Sequence, residues 1–188
     1  MPNRKIFLKV KSMRPSTKHY VSDSSAYQND DRVDFGFAKI HPNEKTARVR
    51  DLFGKVAKKY DLMNDVMSLG LHRLWKDELV AQIPKTGHLL DVAGGTGDVA
   101  LRYLRSGGNR ATVLDITPAM LQRGRQNADS LAVFAAIDFV KGSAEKLPFP
   151  DGSFDAITIA FGIRNITNKE TALREARRVL KTGGKFLC

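Results

Sequence analysis

Apolar positions along this chain follow two regimes. From Glu44 to about Gln82 they recur every three or four residues: Val49, Leu52, Phe53, Val56 and Tyr60, then Leu71, Leu74, Trp75, Leu79 and Ile83. That spacing predicts two amphipathic helices, one from Glu44 and one over about 72–82. Pro84 to Gly87 breaks the helical pattern, and from His88 short apolar runs alternate with helical stretches. The pattern predicts strands at 88–93, 111–116, 137–141, 154–161 and from 184, with helices at 97–106, 118–128 and 168–180. Gly107, Gly108 and Asn109 end the first of these helices, Pro118 opens the second, and Gly183-Gly184 ends the third. Strand alternating with helix predicts an α/β fold, a doubly wound Rossmann-like sheet with helices on both faces.

Within that alternation, His88 to Asp98 reads H-L-L-D-V-A-G-G-T-G-D. An apolar strand runs into three glycines and then into helical spacing at Val99, Ala100, Leu101, Tyr103 and Leu104, which is the opening of a nucleotide-binding fold. The glycines let the backbone turn sharply and approach a ligand closely, with the first helical amides facing it. Two ligands fit this loop. Gly95-x-Gly97-x-x-Ala100 satisfies the dinucleotide fingerprint, and Asp115 closes the next strand about 20 residues later, where a ribose ligand belongs. Against a dinucleotide, Asp98 stands where a pyrophosphate would sit, and Asp91 adds a second acid beneath the loop. Acids there suit S-adenosylmethionine, which has a sulfonium, an ammonium and a ribose diol but no phosphate. Asp91, Gly95 and Gly97 then form the acidic and glycine-rich motif of that cofactor class, and Asp115 accepts the ribose hydroxyls. The plainer readings are a helix cap for Asp115 and compensation of the helix dipole for Asp98. Ser143 and Ala144, in G-S-A-E-K-L-P-F after the third strand, are placed to close over an adenine.

Composition narrows the class. With 188 residues and 42% hydrophobic, the chain has room for one globular domain. No apolar run approaches the roughly 20 residues of a membrane span, so the expectation is peripheral membrane contact at most. The net charge of +11 is concentrated at the start: residues 1–22 hold Arg4, Lys5, Lys9, Lys11, Arg14 and Lys18 and no acid. The remainder carries 25 basic against 20 acidic residues, with no basic stripe interleaved with aromatics, so no nucleic-acid partner is expected. The leader has the composition of a mitochondrial transit peptide, although lysine outnumbers arginine four to two; a disordered tail, or a start at Met13, is the plainer reading. Residues 23–34 are polar enough for a linker. The organisation expected is a basic leader and linker at 1–32, a helical segment at 33–87 on the substrate side, and the α/β core at 88–188. One cysteine, Cys188, excludes a disulfide framework and a multi-cysteine metal site. Because an open sheet needs later strands to cover its far edge, a chain stopping in its fifth strand reads as C-terminally incomplete.

Several blocks in order, Y-D-L-M-N-D-V-M-S-L-G-L-H-R-L-W-K-D, L-L-D-V-A-G-G-T-G-D, S-A-E-K-L-P-F-P-D-G-S-F-D and F-G-I-R-N, resemble the ubiquinone and menaquinone biosynthesis C-methyltransferases. The resemblance runs from about Val33 to the last residue. It implies a class I methyltransferase fold with an N-terminal helical cap, here lacking the last strands. It also implies methyl transfer from S-adenosylmethionine to a ring carbon of a polyprenyl benzoquinol or a demethylmenaquinol. Carried over by motif, Thr96, Asp115, Ser143 and Ala144 fall on cofactor-contact positions; the family often has Asn or Asp where Ser143 stands.

The chemistry asks for an electron-rich ring, most simply by removing a proton from a ring hydroxyl as the carbon attacks the methyl in line. Arg164 in F-G-I-R-N suits stabilisation of the developing phenolate or the holding of a water, since a guanidinium is a poor base, and Asn165 suits a ring oxygen. Its plain alternative is a surface ion pair. Tyr60, Asp61 and Asn64 share a helical face that suits the quinol head, while Met63, Met67 and Leu71 line a way for the tail; ordinary helix packing is the competing reading. His72 and Trp75 read as packed residues of the amphipathic helix. Partners expected are the polyprenyl quinol, a membrane surface, and a quinone-biosynthesis complex or homodimer. The compartment expected is the matrix side of the mitochondrial inner membrane for a eukaryotic chain, otherwise the cytoplasmic side of the inner membrane. A non-catalytic subunit keeping the fold is the alternative function.

Overall fold

The computed structural model describes residues 33–35, 38–56 and 71–188. Two short antiparallel strands come first, β1 (Val33–Phe35) and β2 (Ala38–Ile40), so Val33 and Asp34 belong to a hairpin and not to a linker. Helix α1 (Pro42–Val56) begins two residues earlier than the apolar spacing suggested, because Pro42 needs no amide partner in the first turn. Helix α2 (Leu71–Ala81) precedes the sheet.

The core is β3 (His88–Val92), α3 (Asp98–Arg105), β4 (Arg110–Asp115), α4 (Pro118–Ser130), β5 (Ile137–Lys141), β6 (Phe154–Thr158), α5 (Lys169–Val179) and β7 (Leu180–Leu187). The five strands from β3 to β7 form one parallel sheet in the order β5-β4-β3-β6-β7. The chain therefore winds outward from β3 to β5, crosses back, and continues on the other side through β6. That reversal beside β3 is the switch point at which a doubly wound sheet opens a crevice beyond its strand ends.

Both faces of the sheet are covered, which is why β3 is buried at every position after His88. Leu89 faces a cluster with Val99, Leu101 and Tyr103 of α3, Leu121 of α4 and Val80 of α2. Leu90 and Val92 face the opposite cluster, with Ile157 and with Ala172, Ala176 and Val179 of α5. Each leucine, isoleucine or valine wholly removed from water here contributes roughly 1.5–3 kcal/mol.

Three local expectations change. β6 ends at Thr158, not 161: Phe161 adopts φ 62, so residues 159–162 leave the sheet and become loop. α5 ends at Val179, four residues before Gly183, and β7 starts at Leu180. Its register slips between Phe154↔Leu180 and Ala156↔Lys185, which places Gly183, at φ 79, inside the irregular stretch.

The largest change concerns α2. The helical period holds, but the buried face is His72, Lys76 and Val80, while Leu71, Leu74 and Trp75 lie outside, the last two more than half exposed. Trp75 is therefore not a core residue; its ring lies 6.1 Å from that of Phe161. Tyr60, Asp61, Met63, Asn64 and Met67 lie outside the described residues.

Candidate active site

At the switch point the loops that follow β3, β4, β5 and β6 open into one cavity of about 630 Å³, closed on its other side by α1 and α2. Asp91, Gly95, Thr96, Asp115, Ser143, Ala144, Arg164 and Asn165 all line it. Gly97 does not. Its φ of 78 makes the turn into α3, and a Cβ there would meet Val113 and Phe139 at 3.1 and 3.2 Å, so it serves the approach of helix to sheet.

The glycine loop is held from beneath by Asp115. One carboxylate oxygen accepts the Gly95 amide at 2.9 Å and the other accepts the Thr117 amide at 2.8 Å. Helix α4 has Thr117 as its N-cap without a side-chain cap bond, so Asp115 is not the helix cap; it lines the cavity and holds the glycine loop. Burial pushes this carboxyl above its ordinary range, opposed by hydrogen bonds from the amides of Thr117, Gly95 and Ile116 and from the Thr117 hydroxyl.

Asp91 is the more unusual group. It is buried, one oxygen accepts the Thr158 hydroxyl at 2.7 Å, and the other has no hydrogen-bond partner among the described residues. A Cβ on Gly94 would come within 2.6 Å of that second oxygen, so the loop can lie over Asp91 only with glycine there. Burial pushes the carboxyl up to about 7, against the Thr158 hydrogen bond and the Lys76 ammonium. An orphaned buried oxygen beneath a nucleotide loop is a site for a donor or a cation.

Asp98 is a different case. Lys76 donates to it at 2.9 Å and Arg102 at 3.0 and 3.1 Å. Burial raises its carboxyl, but the two cations outweigh that and hold it below the ordinary range. Its charge is therefore compensated within the protein, and the bias of the cavity against phosphate rests on Asp91.

The loop after β5 is fastened twice. Glu145 accepts the Thr167 and Asn168 amides at 3.1 and 3.0 Å, tying it to the loop after β6. Arg178 of α5 holds the carbonyls of Leu147 and Phe149 and the carboxylate of Asp151. Ser143 accepts the Glu145 amide at 3.2 Å, which spends its short side chain on the turn itself. Arg164 and Asn165 sit on a single 3-10 turn, Ile163–Asn165, at the cavity rim, and among the described residues Arg164 makes no ion pair or hydrogen bond. Among the described residues the surface ion pair considered for it is not formed. His72, Lys76, Thr46 and Met120 also line the cavity. Of these, spacing placed His72 on the packed face but pointed to neither Lys76 nor Thr46, whose neighbours here come from other elements.

The profile of the ubiE/COQ5 methyltransferase family matches residues 41–188. The chain belongs to that family. Its relatives include the ubiquinone/menaquinone biosynthesis C-methyltransferase UbiE of Methylobacterium nodulans, 56% identical over 163 residues, which are 83% of this chain and 64% of that protein. The UbiE of Acidiphilium cryptum is 50% identical over 162 residues, 85% of this chain and 65% of the other. The chain thus spans just under two thirds of these relatives' length.

Among solved structures, an S-adenosyl-L-methionine-dependent methyltransferase from Methanococcus maripaludis superposes with a TM-score of 0.64 over 71% of this chain and 62% of its own, at 20% identity, which is likeness of fold. A Haloferax volcanii protein described as a methyltransferase, solved with the Trm112 methyltransferase activator, gives 0.59 at 31% identity over 73% of this chain and 58% of its own. The fold of this ubiE/COQ5 family member is accordingly the Rossmann-like sheet of the class I methyltransferases.

Proposed function

We propose that this chain binds S-adenosylmethionine in the cavity and methylates a ring carbon of a polyprenyl benzoquinol or a demethylmenaquinol. The observation that carries the reading is the pairing, in one cavity, of the unpartnered Asp91 oxygen and Asp115 beneath the glycine loop with Arg164 and Asn165 on the rim. The donor set fits the cofactor: Asp91 complements a cationic end, Asp115 accepts ribose hydroxyls, and Ser143 and Ala144 border the space for a base. When bound, S-adenosylmethionine supplies an electrophilic methyl group on a sulfonium sulfur.

The residues supply position and charge. A guanidinium is a poor base, so Arg164 stabilises negative charge growing on a ring oxygen or orients a water that takes the hydroxyl proton. Asn165 donates to or accepts from a second ring oxygen and so sets which carbon faces the methyl. Leu52, Trp75 and Phe161, all exposed and lining the cavity, give its mouth an apolar rim suited to a prenyl tail and to peripheral contact with the bilayer that holds it.

The test is calorimetric titration of S-adenosylmethionine into the wild-type chain and Asp115→Ala, with mass spectrometry of a short-tailed quinol after incubation. Micromolar binding that weakens at least a hundredfold in Asp115→Ala, and a product heavier by one methyl group, are expected. No binding to folded wild-type protein would overturn the reading.

A further inference from the structure

The inner face of α2 is polar where a helix packed on a sheet is ordinarily apolar. Lys76, with its side chain 10% exposed, has lost most of its hydration, which a protein tolerates only with a close counter-charge. That charge is Asp98, the first residue of α3. Arg102 of α3 also binds Asp98, and reaches Asp77 of α2 at 2.6 Å. Two pairs thus join the cap helix to the helix that leaves the glycine loop. Of the two cations only Lys76 faces the cavity.

Lys76 also acts on Asp91. Lys76 of α2, Asp98 of α3 and Asp115 of β4 line the same cavity as Asp91, and the Thr158 hydroxyl of β6 donates to it. Lys76 favours the ionised form; the two acids oppose it. One ion pair therefore contains two members with opposite effects on the same buried oxygen.

We propose that Lys76 is a positioning residue for the cofactor: through Asp98 it fixes α2 against the glycine loop as a wall of the cavity, and it sets a positive charge in the same cavity that Asp91 lines. The proposal rests on the reading of this cavity as an S-adenosylmethionine site. It has a signature that packing alone does not produce. Asp91 must be ionised to hold a cation, so affinity rises with pH through the Asp91 titration. Removing the Lys76 charge moves the midpoint of that rise upward. Removing the Asp98 charge moves it downward. Loss of a purely structural latch weakens binding in both variants and moves neither midpoint.

The experiment titrates S-adenosylmethionine calorimetrically between pH 6 and pH 9 into the wild-type chain, Lys76→Met, Lys76→Arg, Asp98→Asn and the double variant Lys76→Met/Asp98→Asn. Lys76→Met leaves Asp98 paired with Arg102, so no charge is stranded. The expected results are binding at least tenfold weaker at pH 7 and a raised midpoint for Lys76→Met, and a lowered midpoint for Asp98→Asn. Lys76→Arg should stay within about threefold of wild type, and the double variant should lose less than the product of the single losses. An unshifted midpoint in Lys76→Met, or shifts of the same sign in both single variants, overturns the role of Lys76 and leaves the cofactor reading standing. Absence of binding by wild type overturns the cofactor reading itself. Should Lys76→Met not fold, Lys76→Gln takes its place with the same expected rise in the midpoint, and an unshifted midpoint there overturns the proposal.

Discussion

Asp91→Asn should make the cofactor-free protein more stable at pH 8 and not at pH 5. The wild-type carboxyl is wholly buried, bonded once to Thr158, and moved from 3.8 to about 7, chiefly by burial. The folded state therefore holds the proton more tightly than the unfolded state does. Its ionisation costs the folded state nothing below the ordinary value, a growing amount as pH rises through the interval, and about 4 kcal/mol in full above it. Between pH 5 and pH 8 the wild type should lose roughly 2–3 kcal/mol on this account. Asparagine keeps an acceptor for the Thr158 hydroxyl but leaves an amide N–H unpaired, a cost of about 1–3 kcal/mol that does not depend on pH. The variant should thus match or fall below the wild type at pH 5 and exceed it by about 1–3 kcal/mol at pH 8. Urea unfolding followed by circular dichroism at both pH values, without cofactor, measures the difference. A stability gap that stays the same at the two pH values would refute the buried-charge argument. A gain in stability with loss of cofactor binding would show that the acid is kept for its ligand at the expense of the fold.

Two further outcomes follow from the loops. A Cβ on Gly162 would lie 2.7 Å from the Cβ of Ala93, so Gly162→Ala must push apart the loops after β6 and β3; the expected cost is about 1–3 kcal/mol in urea unfolding, with cofactor binding at least tenfold weaker by calorimetry, and binding equal to wild type would refute the close approach. The Arg178 guanidinium beside Glu175 holds that carboxyl at about 2, so its contribution is complete above the ordinary value of 4.5 and is lost as pH falls toward 2. Glu175→Gln should lower the Tm by about 2–4 °C at pH 7 and progressively less in melts taken toward pH 2, and an undiminished difference there would contradict the pairing.

Much of this protein was legible in order along the chain. Local spacing is enough to place β3, the glycine loop and α3, because alternation, a glycine cluster and a helical repeat each depend on a few adjacent residues. The same holds for the succession of strand and helix through α5, and for the acids at 91 and 115 at the strand ends. The blocks around them were also enough to point to the family. The end of β6 and the start of β7 were misplaced because sheet pairing, not local preference, decides where a strand starts and stops.

What only the tertiary structure decided is which groups meet. The period of α2 was readable, but not its orientation: a helix shows two faces, and the one that turns inward depends on what it packs against. Here that is the cavity and Asp98, 22 residues away, so a lysine and a histidine go in while a tryptophan and two leucines stay out. Asp98 looked like a ligand group until Lys76 and Arg102 were seen to hold it. Asp91 looked like one acid among several until Thr158, 67 residues on, was found to satisfy only one of its oxygens. Electrostatic roles are set by distance and burial, and both come from contacts between segments that the order of residues does not record.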